Sequence, residues 1–130
     1  MKSTAVIHIV DDDRSVRKAL ATAFKFDGWK TETYESAEEF LDRGLGVGNA
    51  DIGCVVADVR MPGMGGVGLQ AGVAQRGDDV PIIFMSGHGA KDLKDQLLIG
   101  GAAGFLSKPF DDEEVIAMVE DALHNHYPQE

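Results

Sequence analysis

The 130-residue chain has few basic residues and almost no cysteine, and both scarcities exclude classes of protein. Its one cysteine, Cys54, leaves no partner for a disulfide within the chain, and it stands in an apolar run where it serves as a small core residue. Only 12 Lys and Arg stand against 22 Asp and Glu, for a net charge of -10. This balance argues against direct binding to nucleic acid or to an anionic membrane, because both need a basic face. It suits a protein that binds a divalent cation.

Long hydrophobic runs are also missing. No stretch approaches the roughly 20 apolar residues that cross a bilayer, and the N-terminus lacks the apolar core of a secretion signal. We therefore expect a cytoplasmic location and no membrane partner. The length fits one domain, so we expect residues 1–130 to form a single domain whose polar tail, residues 124–130, frays.

Four short apolar segments, bounded by polar or turn-forming residues, are typical of buried strands, and Trp29 to Tyr34 alternates in the manner of a shorter strand near a sheet edge. His8 lies inside the first of them, and we interpret it as a core residue. Each segment is followed by apolar residues at helical spacing. Strand and helix in alternation predict an α/β fold, a doubly wound (βα)5 domain with a five-stranded parallel sheet and helices on both faces. The predicted strands cover residues 4–10, 29–34, 51–58, 80–85 and 102–106.

Chemically active side chains follow four of these five strands. Asp11 and Asp12 come after the first, Asp58 ends the third, Ser86 ends the fourth and Lys108 follows the fifth. Open α/β sheets bind ligands outside the carboxyl ends of their strands. Clustered carboxylates call for a hard cation such as Mg²⁺, and a carboxylate can itself accept a phosphoryl group. A lysine and a hydroxyl nearby would neutralise and bind the phosphoryl oxygens.

Four motifs at these strand ends together resemble the receiver domains of two-component response regulators, which have a flavodoxin-like fold. The resemblance covers nearly the whole chain. A Gly-His-Gly sequence at 87–89 is similar to the branch of that family with LuxR-type helix-turn-helix outputs. The motifs are Val-Asp-Asp-Asp at 10–13, Asp-Val-Arg-Met-Pro-Gly-Met at 58–64, Pro-Ile-Ile-Phe-Met-Ser-Gly at 81–87 and Lys-Pro-Phe at 108–110.

The resemblance implies that Asp58 accepts a phosphoryl group from a sensor histidine kinase. It also implies a cofactor, Mg²⁺ or Mn²⁺, held by the carboxylates of Asp12 and Asp58 and by the backbone carbonyl of Arg60. Asp11 would act on the metal through water, which leaves Asp13 to cap the first helix. The protein would then be a regulatory phosphoacceptor rather than a conventional enzyme, catalysing only its own phosphorylation and slow dephosphorylation.

Further residues take switch roles on the same resemblance. Ser86 would bond to the phosphoryl group, Lys108 would pair with its oxygens, and the Lys108–Pro109 peptide would be cis. Phe105 would report the switch, by its rotation, to the face made by the fourth helix, fifth strand and fifth helix. That face is one candidate for a homodimer contact. His88 and Arg60, which flank the site, are candidates for tuning the access of hydrolytic water.

Two other functions remain open at this point. The sequence Asp-Asp-Asp-Arg-Ser at 11–15 loosely matches the start of haloacid-dehalogenase-like phosphatases, in which Asp11 would be the nucleophile. A phosphorylation-independent interaction module is the other alternative, although the acidic cluster argues against it. One departure from the receiver pattern is Gly65, which stands where the family usually has Asp, Asn or Ser, so the third helix is predicted to lack a side-chain cap.

Overall fold

A computed structural model of the protein describes residues 5–44, 53–77, 79–87 and 91–127, apart from the side chain of Lys91. Within these described ranges, five strands and five helices alternate, as predicted. The strands are β1 Val6–Val10, β2 Lys30–Tyr34, β3 Gly53–Asp58, β4 Ile82–Ser86 and β5 Gly104–Ser107. The helices are α1 Arg14–Phe26, α2 Ala37–Arg43, α3 Gly66–Gln75, α4 Lys91–Ile99 and α5 Asp112–His126.

All five strands are parallel and lie in the order β2-β1-β3-β4-β5, which confirms the predicted five-stranded, doubly wound sheet. The chain moves outward from β1 to β2 and then returns to the other side of β1 with β3. This reversal of strand order creates a crevice at the carboxyl ends of β1 and β3. Val10 pairs in register with Ala57 there, so the residues that follow each strand, Asp11 and Asp58, meet.

The core has two layers because neighbouring residues of a strand point to opposite faces of the sheet. Ile7 and Ile9 of β1 pack with residues of α1 and α5, including Phe24 and Val119. The other face includes Val10 and residues of α2, α3 and α4. Strands buried on both faces are therefore apolar almost throughout, and this is why they were visible in the sequence as continuous runs.

Helix caps agree with the sequence in most places. The Asp13 carboxylate accepts hydrogen bonds from the backbone N–H groups of Ser15 and Val16 and caps α1. The Ser36 hydroxyl caps α2 by accepting from the N–H of Glu39. The cap residue of α3 is Gly65, which has no side-chain cap, as its departure from the family pattern predicted.

The end of the described chain includes residues of the expected tail, which begins at residue 124. Helix α5 continues to His126, and the hydroxyl of Tyr127 both accepts from the Gly53 N–H at 3.2 Å and donates to the Gly53 carbonyl at 3.0 Å. The His126 ring also lies 2.6 Å from the carbonyl oxygen of Asp79. These contacts hold the last turn of α5 against the start of β3, and the expected fraying of residues 124–130 stays a prediction. Within the described ranges, no helix combines the length and apolarity needed to span a membrane.

Candidate functional site

Three carboxylates meet at the carboxyl ends of β1 and β3. One oxygen each from Asp11, Asp12 and Asp58 can be chosen so that all three lie within 4.8 Å of one another. Asp11 is fully buried, Asp12 is exposed, and Asp58 is partly buried with 13% of its side chain exposed. The structure thus brings together the acidic residues that were singled out in the sequence, at the crevice where such sheets bind ligands.

Asp11 is the carboxylate with the strongest need for a positive partner. Its Oδ1 accepts a hydrogen bond from the Asp13 N–H at 2.9 Å, whereas its buried Oδ2 has no hydrogen-bond partner among the described residues. Burial raises the pKa of Asp11, and the negative charge of Asp58 adds to that rise, while the Asp13 N–H and the Lys108 ammonium oppose it. A buried, unsatisfied carboxylate oxygen beside other carboxylates is a natural cation ligand.

Lys108 extends into the cluster from the carboxyl end of β5. Its Nζ lies 3.5 Å from Asp58 Oδ2 and 3.7 Å from Asp11 Oδ2, so a single ammonium faces two carboxylates. The Lys108 backbone N–H donates to the Ser86 carbonyl at 2.7 Å, which fixes the residue beside the end of β4. The predicted cis peptide between Lys108 and Pro109 is present.

Ser86 and Phe105 lie on the neighbouring strands β4 and β5. Ser86 is buried, and its hydroxyl donates to the Gly87 carbonyl at 3.2 Å, so in this state it is turned toward its own loop. The Phe105 ring is partly buried against the core layer of α3 and α4, and Lys94 Nζ stands 5.9 Å from its centroid. The cation–π contact joins Phe105 to an exposed residue of α4.

Arg60 follows Asp58 by two residues and lies beside the cluster. Its backbone N–H donates to Asp58 Oδ1 at 3.4 Å, and the residue is exposed. His88, which was expected to flank the site as well, lies outside the described residues. Its role therefore stays a prediction.

Two contacts around the site were not found from the sequence. The guanidinium of Arg17 donates to the backbone carbonyl of Asp11 at 2.7 Å and lies 3.6 Å from a Glu35 oxygen. Glu38 of α2 accepts from the N–H of Met64, 26 residues further along the chain. Neither contact has a recognised sequence signal, because Arg17 and Glu38 meet their partners through the packing of α1 and α2 on the sheet rather than through a capping motif.

The donor set fits a hard divalent cation. Asp11, Asp12 and Asp58 supply carboxylate oxygens from two adjacent strand ends, and Asp12 is open to solvent that can complete the coordination. The same residues without a cation carry three negative groups against one lysine. The arrangement can also do chemistry, because Asp58 offers a partly buried, nucleophilic carboxylate oxygen beside a cation site and an ammonium.

Comparison with known proteins gives a consistent result. The profile described as the response regulator receiver domain matches residues 7–120. Among curated proteins, the chain is 41% identical over 123 residues to the transcriptional regulatory protein FixJ of Azorhizobium caulinodans, covering 95% of this chain and 57% of that protein. It is 39% identical over 119 residues to the response regulator protein TmoT of Ectopseudomonas mendocina, covering 92% and 53%. The chain thus spans little more than half the length of these relatives.

Solved structures agree with the sequence comparison. The crystal structure of FixJ-N superposes with a TM-score of 0.86 at 35% identity, covering 97% of this chain and 98% of that one. Full-length FixJ from B. japonicum superposes with a TM-score of 0.87 at 36% identity, covering 95% of this chain and 59% of that one.

The phosphatase alternative finds no support in these comparisons. The structure gives a physical reason as well. That chemistry needs a further acidic pair at a late strand end, whereas Asp111 and Asp112 begin α5, where the Asp111 N–H donates to Glu114. Profile, relatives and solved structures all lead to one conclusion, that the chain belongs to the response regulator receiver domain family.

Proposed function

We propose that Asp58 is the phosphoacceptor of this receiver and that a sensor histidine kinase is its phosphodonor. The observation that carries the proposal is the contact of Asp58 Oδ2 with Lys108 Nζ at 3.5 Å, in a cluster where Asp11 and Asp12 oxygens lie within 4.8 Å. Asp58 is the member of this cluster that combines partial exposure with a contact to the lysine. It is therefore the oxygen best placed to meet an incoming phosphoryl group.

In the transfer, an Asp58 carboxylate oxygen forms a bond to phosphorus as the bond from phosphorus to the kinase's imidazole nitrogen breaks. The electron pair of that bond stays on the imidazole, which takes up a proton from solvent. The chain's own contribution is position and charge, since phosphoryl transfer needs little more from a protein. The ammonium of Lys108, now shared between Asp58 and Asp11, would move to an oxygen of the bound phosphoryl group.

Mg²⁺, or Mn²⁺ in its place, is the proposed cofactor. Asp12 and Asp58 would hold it through carboxylates and Arg60 through its backbone carbonyl, while Asp11 would contact it through water. When bound, the ion neutralises charge on the phosphoryl oxygens. The buried Oδ2 of Asp11, which has no hydrogen-bond partner in the described part of the chain, supports this assignment.

We further propose that phosphorylation shifts a two-state equilibrium of the face formed by α4, β5 and α5. The Ser86 hydroxyl would leave the Gly87 carbonyl for a phosphoryl oxygen, and Phe105 would follow by turning inward. Leu98 and Ile99, exposed by 40% and 88% at the end of α4, support a protein contact on this face, with a second copy of the chain as the proposed partner. Direct contact with nucleic acid forms no part of the proposal, given the net charge of -10.

Intact mass after incubation with Mg²⁺ and acetyl phosphate tests the phosphoacceptor assignment. The native chain is expected to gain one phosphoryl group, and Asp58→Asn is expected to gain none. Asp42→Asn, which changes an exposed carboxylate on α2, serves as the matched control and should gain the adduct like the native chain.

Each other outcome contradicts the proposal in a defined way. An adduct that persists in Asp58→Asn would place the nucleophile elsewhere, and Asp11→Asn would then show whether it is Asp11. No adduct on the native chain, with Mg²⁺ present, would leave the family fold intact and favour a phosphorylation-independent interaction module.

A further inference from the structure

The loop of residues 59–65 joins β3 to α3 and carries the backbone carbonyl of Arg60. The Arg60 N–H donates to Asp58 at 3.4 Å, and the side chain of Met61 is buried in the core. The Gly66 N–H donates to the Val59 carbonyl at 2.8 Å and closes the loop at its base, whereas the cap residue of α3, Gly65, has no side chain to accept a hydrogen bond. A further anchor for residues 60–64 comes from outside the loop.

Glu38 of α2 provides that anchor. Its Oε2 accepts a hydrogen bond from the N–H of Met64 at 3.1 Å, directly before the cap position of α3. Gly63 has a φ of +76°, and a Cβ there would lie 2.7 Å from the same Glu38 oxygen. Gly63 thus allows both the left-handed turn and the close approach of the carboxylate. A negative charge at this point also faces the positive end of the α3 dipole.

We propose that Glu38 is a positioning residue for the metal site: from α2 it accepts the Met64 N–H and so holds the loop with its Arg60 carbonyl in place. This inference rests on the proposed function, because it takes that carbonyl as a metal ligand. Position 65 favours glycine for a steric reason, because a Cβ there would lie 3.0 Å from the Val59 carbonyl oxygen. A cap from within α3 would crowd the backbone that turns out of β3.

A loop held before the cation arrives loses less conformational freedom when the cation binds. Outer residues that orient metal ligands commonly change metal affinity when they are replaced. Glu38 makes its bond to the backbone of the loop rather than to a carboxylate of the cluster. Its loss should therefore weaken Mg²⁺ binding while leaving the transfer step intact once the site is saturated.

Four variants separate the hydrogen bond that Glu38 accepts from its negative charge. Glu38→Ala removes the hydrogen bond and the charge, and Glu38→Gln keeps an oxygen that can accept the Met64 N–H. Glu38→Asp keeps the charge but shortens the side chain by one methylene, so its oxygen no longer reaches Met64. Asp42→Ala is the matched control, because it removes a carboxylate from an exposed position of the same helix. The readouts are the Mg²⁺ dissociation constant from amide NMR titration and the hydrogen exchange of the Met64 amide without Mg²⁺.

Glu38→Ala and Glu38→Asp are expected to bind Mg²⁺ about three- to tenfold more weakly, with faster exchange at Met64. Glu38→Gln should keep most of both properties, and Asp42→Ala should match the native chain. At saturating Mg²⁺, the phosphorylation rate with acetyl phosphate should be the same in all five proteins. Thermal unfolding without Mg²⁺ checks that each variant is folded, and Glu38→Asp carries the test if Glu38→Ala is not.

Three outcomes would overturn the inference. Native Mg²⁺ affinity in Glu38→Asp, with Asp58 still phosphorylated, would reject the positioning role and leave the proposed function standing. Equal weakening in Glu38→Gln and Glu38→Ala would assign the effect to charge alone. A native chain that binds no Mg²⁺ would reject the proposed function, and this inference with it.

Discussion

Single residues in this protein show two different ways of burying an ionisable group. Asp11 is buried with one oxygen lacking a hydrogen-bond partner among the described residues, and its pKa is raised chiefly by that burial. His8 is buried with its Nδ1 2.9 Å from the Tyr34 hydroxyl and with its ring against Phe40. The first arrangement leaves a carboxylate oxygen that a cation can satisfy, whereas the second pairs the ring nitrogen with a core hydroxyl. Burial alone therefore does not mark a functional residue, and the oxygen without a hydrogen-bond partner does.

His8 makes a stability prediction at the residue scale. Burial lowers its pKa from 6.5 to about 4, so between these values the unfolded chain binds more protons than the folded one. Its contribution to stability is complete above pH 6.5 and is lost as the pH falls through about 4. Over that window we expect it to reduce the free energy of unfolding by about 3 kcal/mol.

Urea denaturation at several pH values measures this loss. His8→Gln should have a flatter pH dependence than the native chain between pH 6.5 and 4, whereas His124→Gln, at an exposed position of α5, should keep the native dependence. The difference between variants removes the common contribution of the carboxylates. Parallel curves for all three proteins would contradict the assignment.

At the scale of elements, α3 shows that helix propensity and packing can oppose each other. Gly68 and Gly72 each cost about 1 kcal/mol relative to Ala in an isolated helix. In the structure, a Cβ at Gly72 would lie 2.6 Å from Leu41 Cδ1, and a Cβ at Gly68 would lie 2.5 Å from Met64 Cγ. Leu41 is buried and Met64 is half-buried, so the two sites differ in how easily the neighbour moves.

Gly68→Ala and Gly72→Ala are therefore expected to have opposite effects. The flexible Met64 side chain can move away, so Gly68→Ala should stabilise the protein by up to about 1 kcal/mol. Leu41 is confined by the core between α2 and α3, so Gly72→Ala should destabilise the protein by about 1–2 kcal/mol. Urea denaturation of both variants is the measurement. Stabilisation by both would show that helix propensity, rather than packing, determines the effect of these substitutions.

The end of α5 carries a second prediction at this scale. Tyr127→Phe removes the hydroxyl that bonds to the N–H and the carbonyl of Gly53. We expect a loss of about 1–2 kcal/mol, because two backbone groups at the start of β3 lose their partner. Thermal unfolding measures the loss, with His124→Ala as a control on an exposed position of the same turn. Unchanged stability would mean that water replaces the hydroxyl at no cost.

At the scale of the whole molecule, charge and topology act together. The order β2-β1-β3-β4-β5 gathers the ends of four strands at one edge of the sheet. Three carboxylates and one lysine lie there, in a chain of net charge -10. The fold thus holds like charges together by its core packing, and a cation bound there would relieve the repulsion.

Mg²⁺ is therefore expected to stabilise the fold as a whole. A ligand that binds only the folded state adds about 2.7 kcal/mol at a concentration 100 times its dissociation constant. Asp12→Ala should lose most of this gain, whereas Asp42→Ala, which changes an exposed carboxylate away from the cluster, should keep it. Thermal unfolding with and without Mg²⁺ is the measurement. Equal shifts in the native chain and Asp12→Ala would reject the metal assignment.

Much of the fold could be predicted from the sequence, because the inner strands β1, β3 and β4 are buried and stand out as apolar runs, whereas the edge strand β2 is mostly exposed and alternates. The apolar runs of the sequence end at Asp11, Asp58, Ser86 and Lys108, so the site residues were predicted with them. Helix caps at Asp13 and Ser36 were predictable for a similar reason, since a cap bonds to residues two or three positions away.

By itself, the sequence determined the order of elements, the cores of the strands and the residues at their ends, all of which depend on neighbours along the chain. Only the tertiary structure decided which distant groups meet. It placed Lys108 between Asp11 and Asp58, bonded Glu38 to the loop at Met64, and continued α5 to His126 with the Tyr127 hydroxyl on Gly53. These contacts join residues far apart in sequence, and their geometry arises from the packing of helices on a twisted sheet rather than from any local pattern.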